Sequence, residues 1–249
     1  MTLQQLRYVV TIAEIGTISK AAEELFVSQP SLTKALKELE KEMQKAETEL
    51  ASVCEELSEL RKVYGKQLEG RIIQGLQDLN FLDVKFEIDF ETTEHYTANG
   101  NDKICFTIST NPGEPLRPLA KVVSGGELSR IMLAIRTVTA NQDDIGTLIF
   151  DEIDVGISGG TAEVVGRLLA DLAQHVQLLC ITHQAQVAAQ SDQHLLVKKQ
   201  QTDPASSTII ELNEEQRILE LARMSGGVEI SETTLQHAKQ LRQLKFQSA

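Results

Sequence analysis

Residues 121–160, KVVSGGELSRIMLAIRTVTANQDDIGTLIFDEIDVGISGG, constrain the fold more than any other part of the chain. Val123-Ser124-Gly125-Gly126-Glu127 runs straight into Leu128, Ile131, Met132 and Ile135, which recur at helical spacing. Ser124 is a good helix N-cap, and two glycines let a ligand approach the backbone closely. Such a helix start offers free N–H groups and a positive dipole end to an anion such as phosphate. Next comes the apolar strand Thr147-Leu148-Ile149-Phe150, ending in Asp151-Glu152. A strand delivering two adjacent carboxylates at its C-terminal end suits Mg²⁺ and water chemistry. A third piece, Leu178-Leu179-Cys180-Ile181, is another apolar strand and ends in Thr182-His183. Each piece alone has an ordinary reading: a plain cap, a solvated loop start, a capped strand-end histidine. Their order is what carries information.

Taken together, these pieces resemble the signature motif, Walker B strand, D-loop (residues 154–158) and switch histidine of ABC-type ATPases. The wording DEIDVGISG, the lead-in TNPGEPLRPLAKV and the tail ELARMSGGVEISETTLQHA narrow the resemblance to the C-terminal part of the RecN family, bacterial DNA repair ATPases related to SMC proteins. It covers about residues 50–249. It implies an α/β fold, the C-terminal lobe of an ABC/SMC-type P-loop ATPase, with a mainly parallel sheet, helices and an antiparallel addition. It further implies that Ser124, Gly125, Gly126 and Glu127 belong to the segment that meets the γ-phosphate of ATP held by a partner lobe. Asp151 would hold Mg²⁺, and Glu152 would polarise the attacking water as general base. Asp154 and Ser158 would line the dimer contact, and His183 would hydrogen-bond the γ-phosphate.

The sequence contains no Gly-x-x-x-x-Gly-Lys-Ser/Thr phosphate loop. Gly65-Lys66 lacks the upstream glycine and the following hydroxyl residue and lies in a helical pattern. In the resembled family that loop sits in the N-terminal lobe and grips the β- and γ-phosphates. ATP and Mg²⁺ are therefore expected only when a phosphate-loop lobe is supplied. The partners implied are that lobe, or a homodimer through the nucleotide face, and DNA.

Residues 1–43 read as a separate helical unit. Leu3, Leu6, Val9, Val10 and Ala13 follow helical spacing up to Gly16; a short second helix starts at Ile18; a third carries Leu32, Ala35, Leu36 and Leu39. The segment resembles the helix-turn-helix of LysR-type regulators. By that resemblance Gln29, Pro30, Ser31, Thr33, Lys34 and Lys37 would face the DNA major groove. A small packing unit without DNA contact is the alternative. Five basic and six acidic side chains give residues 1–43 a net charge of −1, and the LysR pattern stops at Met43. A join is expected at residues 43–48.

Residues 44–80 read as one long charged helix with Leu50, Val53, Leu57, Leu60, Tyr64, Leu68 and Ile72 as its apolar stripe. The spacing fits a coiled-coil seam or a helix lying on the following domain. Residues 81–249 then form the ATPase lobe. Strands at 84–90 and 104–109, with the turn signal Asn99-Gly100, predict an antiparallel pair. Later residues alternate helices with strands, which points to a parallel sheet.

The chain has a formal net charge of −12 and a pI of about 4.9, which argues against general electrostatic binding to nucleic acid. Three cysteines without metal-ligand spacing fit a reducing compartment. No signal pattern and no membrane-length apolar run occur. The expectation is a cytoplasmic, nucleoid-associated protein without a membrane partner.

Overall fold

The computed structural model describes residues 2–121, 125–139, 145–200, 206–227 and 230–247. The chain divides into two compact units, Met1–Tyr64 with Glu91–Lys103, and Gly65–Phe90 with Ile104–Ala249.

In the first unit, helix α1 (Leu3–Ile15) begins at a capping box formed by Thr2 and Gln5. It stops where Gly16 takes a φ of +80° and its N–H bonds the Ile12 carbonyl. Helix α2 (Ile18–Glu24) contributes Ala21 and Ala22, small enough for close helix approach. With Leu32 they form a core against Tyr8, Ile12, Ile15, Ile18, Leu25 and Val27. Helix α3 (Gln29–Asp78) is then a single run of 50 residues. The third and fourth helices expected from the sequence are therefore one, and it passes through residue 43 without a break. No proline or glycine falls between Pro30 and Gly65 to interrupt it.

The expected apolar stripe is only half right. In this unit the buried face of α3 carries Cys54 and Ser58, while Leu50, Val53, Leu60 and Tyr64 stay exposed. The hairpin tip of residues 91–103 decides this. Asp102 accepts hydrogen bonds from Arg61 at 2.8 Å and from Ser58 at 2.9 Å, and Arg61 also bonds the Asn99 carbonyl at 2.7 Å.

In the second unit the lower part of α3 buries Ile72, Leu76 and Leu79, with Leu68 packed beside them. They meet the base of the hairpin formed by strands β1 (Lys85–Thr97) and β2 (Gly100–Ser109), both longer than expected. A short strand β3 (Arg117–Pro118) pairs antiparallel with β2. Helix α4 (Gly125–Thr139) follows, then strand β4 (Thr147–Phe150), helix α5 (Gly159–Leu172) and strand β5 (Gln177–Cys180). Strands β4 and β5 run parallel in the register Thr147↔Gln177 to Phe150↔Cys180, with α5 as their crossover. Helix α6 (Ala185–Ala189), the antiparallel pair β6 (Leu195–Gln200) and β7 (Ser206–Glu211), and helices α7 (Glu214–Gly226) and α8 (Glu232–Gln247) complete the order.

A main core gathers Ile72, Leu76, Phe86, Ile131, Leu133, Phe150, Ile153 and Val165. Helices α6, α7 and α8 share a smaller one. Among the described residues no helix is long and apolar enough to cross a membrane.

Candidate nucleotide-facing site

The C-terminal end of β4 leads into a turn, residues 151–155, that is held from two sides. On one side is the start of α4. Ser129 Oγ donates to the Asp151 carbonyl at 2.9 Å. Arg130 Nη1 donates to the carbonyls of Val155 at 2.8 Å and Ile153 at 3.3 Å. Arg130 is buried, and its guanidinium lies 5.4 Å from the centre of the Phe81 ring. Burial pushes the guanidinium pKa down and Glu127 pushes it back up; the group stays a cation at neutral pH.

On the other side is the segment after β5. Asp154 is fully buried, and its Oδ2 accepts from Thr182 Oγ1 at 2.5 Å, the His183 N–H at 2.8 Å and the Gln184 N–H at 3.0 Å. The His183 ring nitrogen Nδ1 lies 3.3 Å from the same oxygen, with its side chain largely exposed. One carboxylate thus ties the end of β4 to the end of β5.

Between these clamps Asp151 and Glu152 are both exposed. Glu152 has a φ of +58°, the left-handed region that a non-glycine residue enters at a cost of about 1 kcal/mol. The strain is sustained because both flanks of the turn are pinned. The two glycines of α4 fit this turn rather than an open space. A Cβ on Gly126 would meet the Glu152 carbonyl oxygen at 3.0 Å and Val155 at 3.1 Å; on Gly125 it would meet Glu152 Oε2 at 2.9 Å.

The expected residues are placed unevenly around this turn. Gly126 is buried, and what approaches it is the chain's own turn. Asp154, expected beside Ser158 at a dimer contact, has its side chain enclosed beneath the His183 segment. Ser158 is exposed where α5 begins, and Gly125 is exposed as well. Glu127 is half-buried. Ser124 lies outside the described residues. Arg130, Ser129 and Thr182 were not assigned roles from the sequence. An arginine inside the apolar face of a helix, as Arg130 is, was the one available signal.

Among the described residues no group of three or more His, Cys, Asp or Glu side chains is placed to hold a metal ion. Asp151 stands exposed at the strand end. Cys180 is chemically quiet: burial, with the Asp154 and Asp151 carboxylates adding, pushes its thiol up to about 12.

At the N-terminus, Gln29, Pro30, Thr33, Lys34 and Lys37 lie together on one face of α3 with Glu38 and Lys41. Ser31 is turned to the helix start, where its hydroxyl lies 2.8 Å from Ser28 Oγ.

Residues 3–46 match the bacterial regulatory helix-turn-helix protein, lysR family. The chain is 46% identical over 192 residues to the DNA repair protein RecN of Vibrio cholerae, a match covering 76% of this chain and 35% of that protein. It is 34% identical over 251 residues to RecN of Bacillus subtilis, covering 94% of this chain and 44% of that one. RecN of Rickettsia felis is 40% identical over 239 residues, covering 94% and 43%. The similarity therefore reaches above the expected start near residue 50, and the chain spans less than half the length of these relatives. Among solved structures, the Smc head domain with a coiled coil and joint from Pyrococcus yayanosii superposes with a TM-score of 0.50 at 18% identity, over 83% of this chain and 39% of that one. That likeness concerns the fold. Over most of its length, then, this chain is similar to part of bacterial RecN, and its α/β fold is like that of an Smc head domain.

Proposed function

We propose that this chain is the C-terminal lobe of a RecN-type machine for ATP-dependent repair of DNA double-strand breaks, silent until a lobe carrying a phosphate loop joins it. The supporting observation is the turn 151–155, pinned by Arg130 and Asp154 so that two exposed carboxylates stand at the end of β4 beside an exposed His183. On this reading Asp151 binds Mg²⁺, whose charge offsets that of the phosphates. Glu152 orients the attacking water and takes its proton. The His183 imidazole hydrogen-bonds the γ-phosphate. Ser124, Gly125 and Glu127 meet the nucleotide of the opposing head, and Ser158 lies at the contact between heads. DNA is the polymer acted on.

The open face of β4 and β5 agrees with this. Ile149, Leu179 and Ile181 are 68%, 46% and 61% exposed, although parallel strands are ordinarily covered on both faces. A complementary lobe would supply the cover.

The test supplies the N-terminal lobe of a RecN relative together with this chain. ATPase activity is expected to appear. Glu152→Gln keeps the side chain's shape but removes the proton acceptor, so nucleotide binding should persist while turnover falls by roughly 10²–10⁴-fold. Turnover within about twofold of the parent would remove Glu152 from the base role.

A second reading concerns the first 46 residues. The match to the LysR helix-turn-helix, and the shared face of Gln29, Pro30, Thr33, Lys34 and Lys37, support a DNA-reading head. A footprint on one short duplex, lost on Lys34→Glu with Lys37→Glu, would favour it over the repair reading for this part.

A further inference from the structure

Helix α6 begins two residues after His183 and is five residues long. A helix this short has no stability of its own. Its one large apolar side chain, Val187, enters the main core. The face it turns to α7 and α8 is Ala185, Ala188 and Ala189. Alanines allow close approach but bury little apolar area. The setting of α6 therefore depends on the polar groups at its two ends.

Asp154 holds the first end, through the N–H groups of His183 and Gln184. Two buried arginines from the last helices hold the second. Arg242 of α8 donates from Nη1 to the Ala189 carbonyl at 2.8 Å and the Ser191 carbonyl at 3.0 Å. Arg217 of α7 donates from Nη2 to the Ser191 carbonyl at 2.6 Å and hydroxyl at 2.9 Å. Its Nη1 donates to the Asp192 carbonyl at 2.8 Å. Glu214 accepts from Arg242 Nη2 at 2.6 Å and lies 3.4 Å from Arg217 Nη1.

Holding two helices together does not call for this arrangement. Arg217 and Arg242 are 4% and 7% exposed. Burial, and then the Arg242 charge, push the Arg217 guanidinium pKa down, although it stays a cation. Apolar side chains of similar size would pack α7 on α8 without repulsion or lost hydration. What they could not supply is directed hydrogen bonds to the carbonyls of residues 189, 191 and 192. The arginines thus fix where the chain leaves α6. Helix α5 closes the remaining side: a Cβ on Gly166 would meet Gln190 Cγ at 2.9 Å and the Gln186 carbonyl oxygen at 3.1 Å.

We propose that Arg242 and Arg217 are positioning residues for His183. They hold α6 from its far end, and α6 sets the direction in which the largely exposed imidazole leaves the segment after β5. The effect on turnover rests on the reading of His183 as a γ-phosphate ligand; the effect on the segment does not.

The test replaces Arg242 with methionine, which keeps the apolar stem and removes the donors. Hydrogen exchange by mass spectrometry on the full chain should accelerate at residues 183–189 by about tenfold, the loss of one hydrogen bond to a charged group. Exchange in β4 should match the parent. Arg242→Lys, which keeps the charge and can reach one carbonyl, should fall between. Arg217→Met is the second variant and should accelerate the same residues. With the N-terminal lobe of a RecN relative supplied, Arg242→Met should lower kcat while KM for ATP stays within about twofold. In a His183→Ala background it should lower kcat no further, because both changes remove the same contact. Exchange at residues 183–189 equal to the parent in both methionine variants would overturn the inference, whatever the turnover. Losses that add in the double variant would overturn it as well. Accelerated exchange with full turnover in His183→Ala would instead remove His183 from the γ-phosphate and leave the positioning of its segment standing.

Discussion

Asp154 does two jobs that a surface residue could not. Its single oxygen Oδ2 gathers the hydroxyl of Thr182 and the N–H groups of His183 and Gln184, fixing where the histidine emerges. Replacing it with alanine leaves the Thr182 hydroxyl and the His183 N–H, both part-buried, without this acceptor, while the Gln184 N–H keeps only Thr182 Oγ1 at 3.0 Å. Asp154→Ala should cost about 2–4 kcal/mol, the range for a few buried donors left unpaired. Urea unfolding should show the loss, and amide exchange at His183 and Gln184 should accelerate most. Asp154→Asn keeps one acceptor oxygen and should cost less. If both variants unfold with the parent, Asp154 does not hold this segment. Arg130 plays the matching part on the opposite flank, where its guanidinium serves two carbonyls of the same turn.

At the scale of elements, the hairpin tip is attached to α3 by one buried acid. The Arg61 hydrogen bond, aided by Ser58 and opposed by burial, holds the Asp102 carboxyl below the usual carboxylate range. A carboxyl lowered in the folded state stabilises it above the unfolded pKa, near 3.9 for aspartate. That stability is lost as pH falls through the lowered folded value. The tip should therefore stay docked at pH 4 and loosen further into acid. Cleavage by pepsin near Tyr96 should report this, rising steeply below pH 4 in the parent chain. With Asp102→Asn, which removes the charge, cleavage should already be fast at pH 4. A parent whose cleavage does not change between pH 4 and pH 2 would contradict the assignment.

For the whole molecule, the open face of β4 and β5 and the sequence without a phosphate loop lead to one expectation. A chain of these 249 residues should bind ATP·Mg weakly at best, because Asp151 and Glu152 present negative charge to the triphosphate with no loop lysine to offset it. It should also self-associate through Ile149, Leu179 and Ile181. Ile149→Ser with Ile181→Ser should reduce that association in sedimentation. Micromolar ATP binding by calorimetry, abolished by Asp151→Ala, would contradict the first part. A monomer at high concentration that binds no hydrophobic dye would contradict the second.

The local elements were legible because each has a local cause. Gly16 ends α1 by taking a left-handed conformation, and Thr147 to Phe150 extend because they are apolar and lead into a turn. The order of the helix start, the carboxylate pair and the strand-end histidine was enough to point to the RecN resemblance that the relatives bear out. Three features depended on contacts between residues far apart in sequence. Asp154 reads as one more acid in a loop until Thr182 and His183 close over it. The face that α3 buries is set by Asp102, 41 residues from Arg61, and not by the helix's own apolar stripe. Gly126 reads as room for a ligand, yet the backbone of the turn at Glu152 and Val155 is what approaches it. Periodicity and capping act within a few residues and so are written in the sequence. Which buried charge finds which partner is decided only when the chain closes on itself.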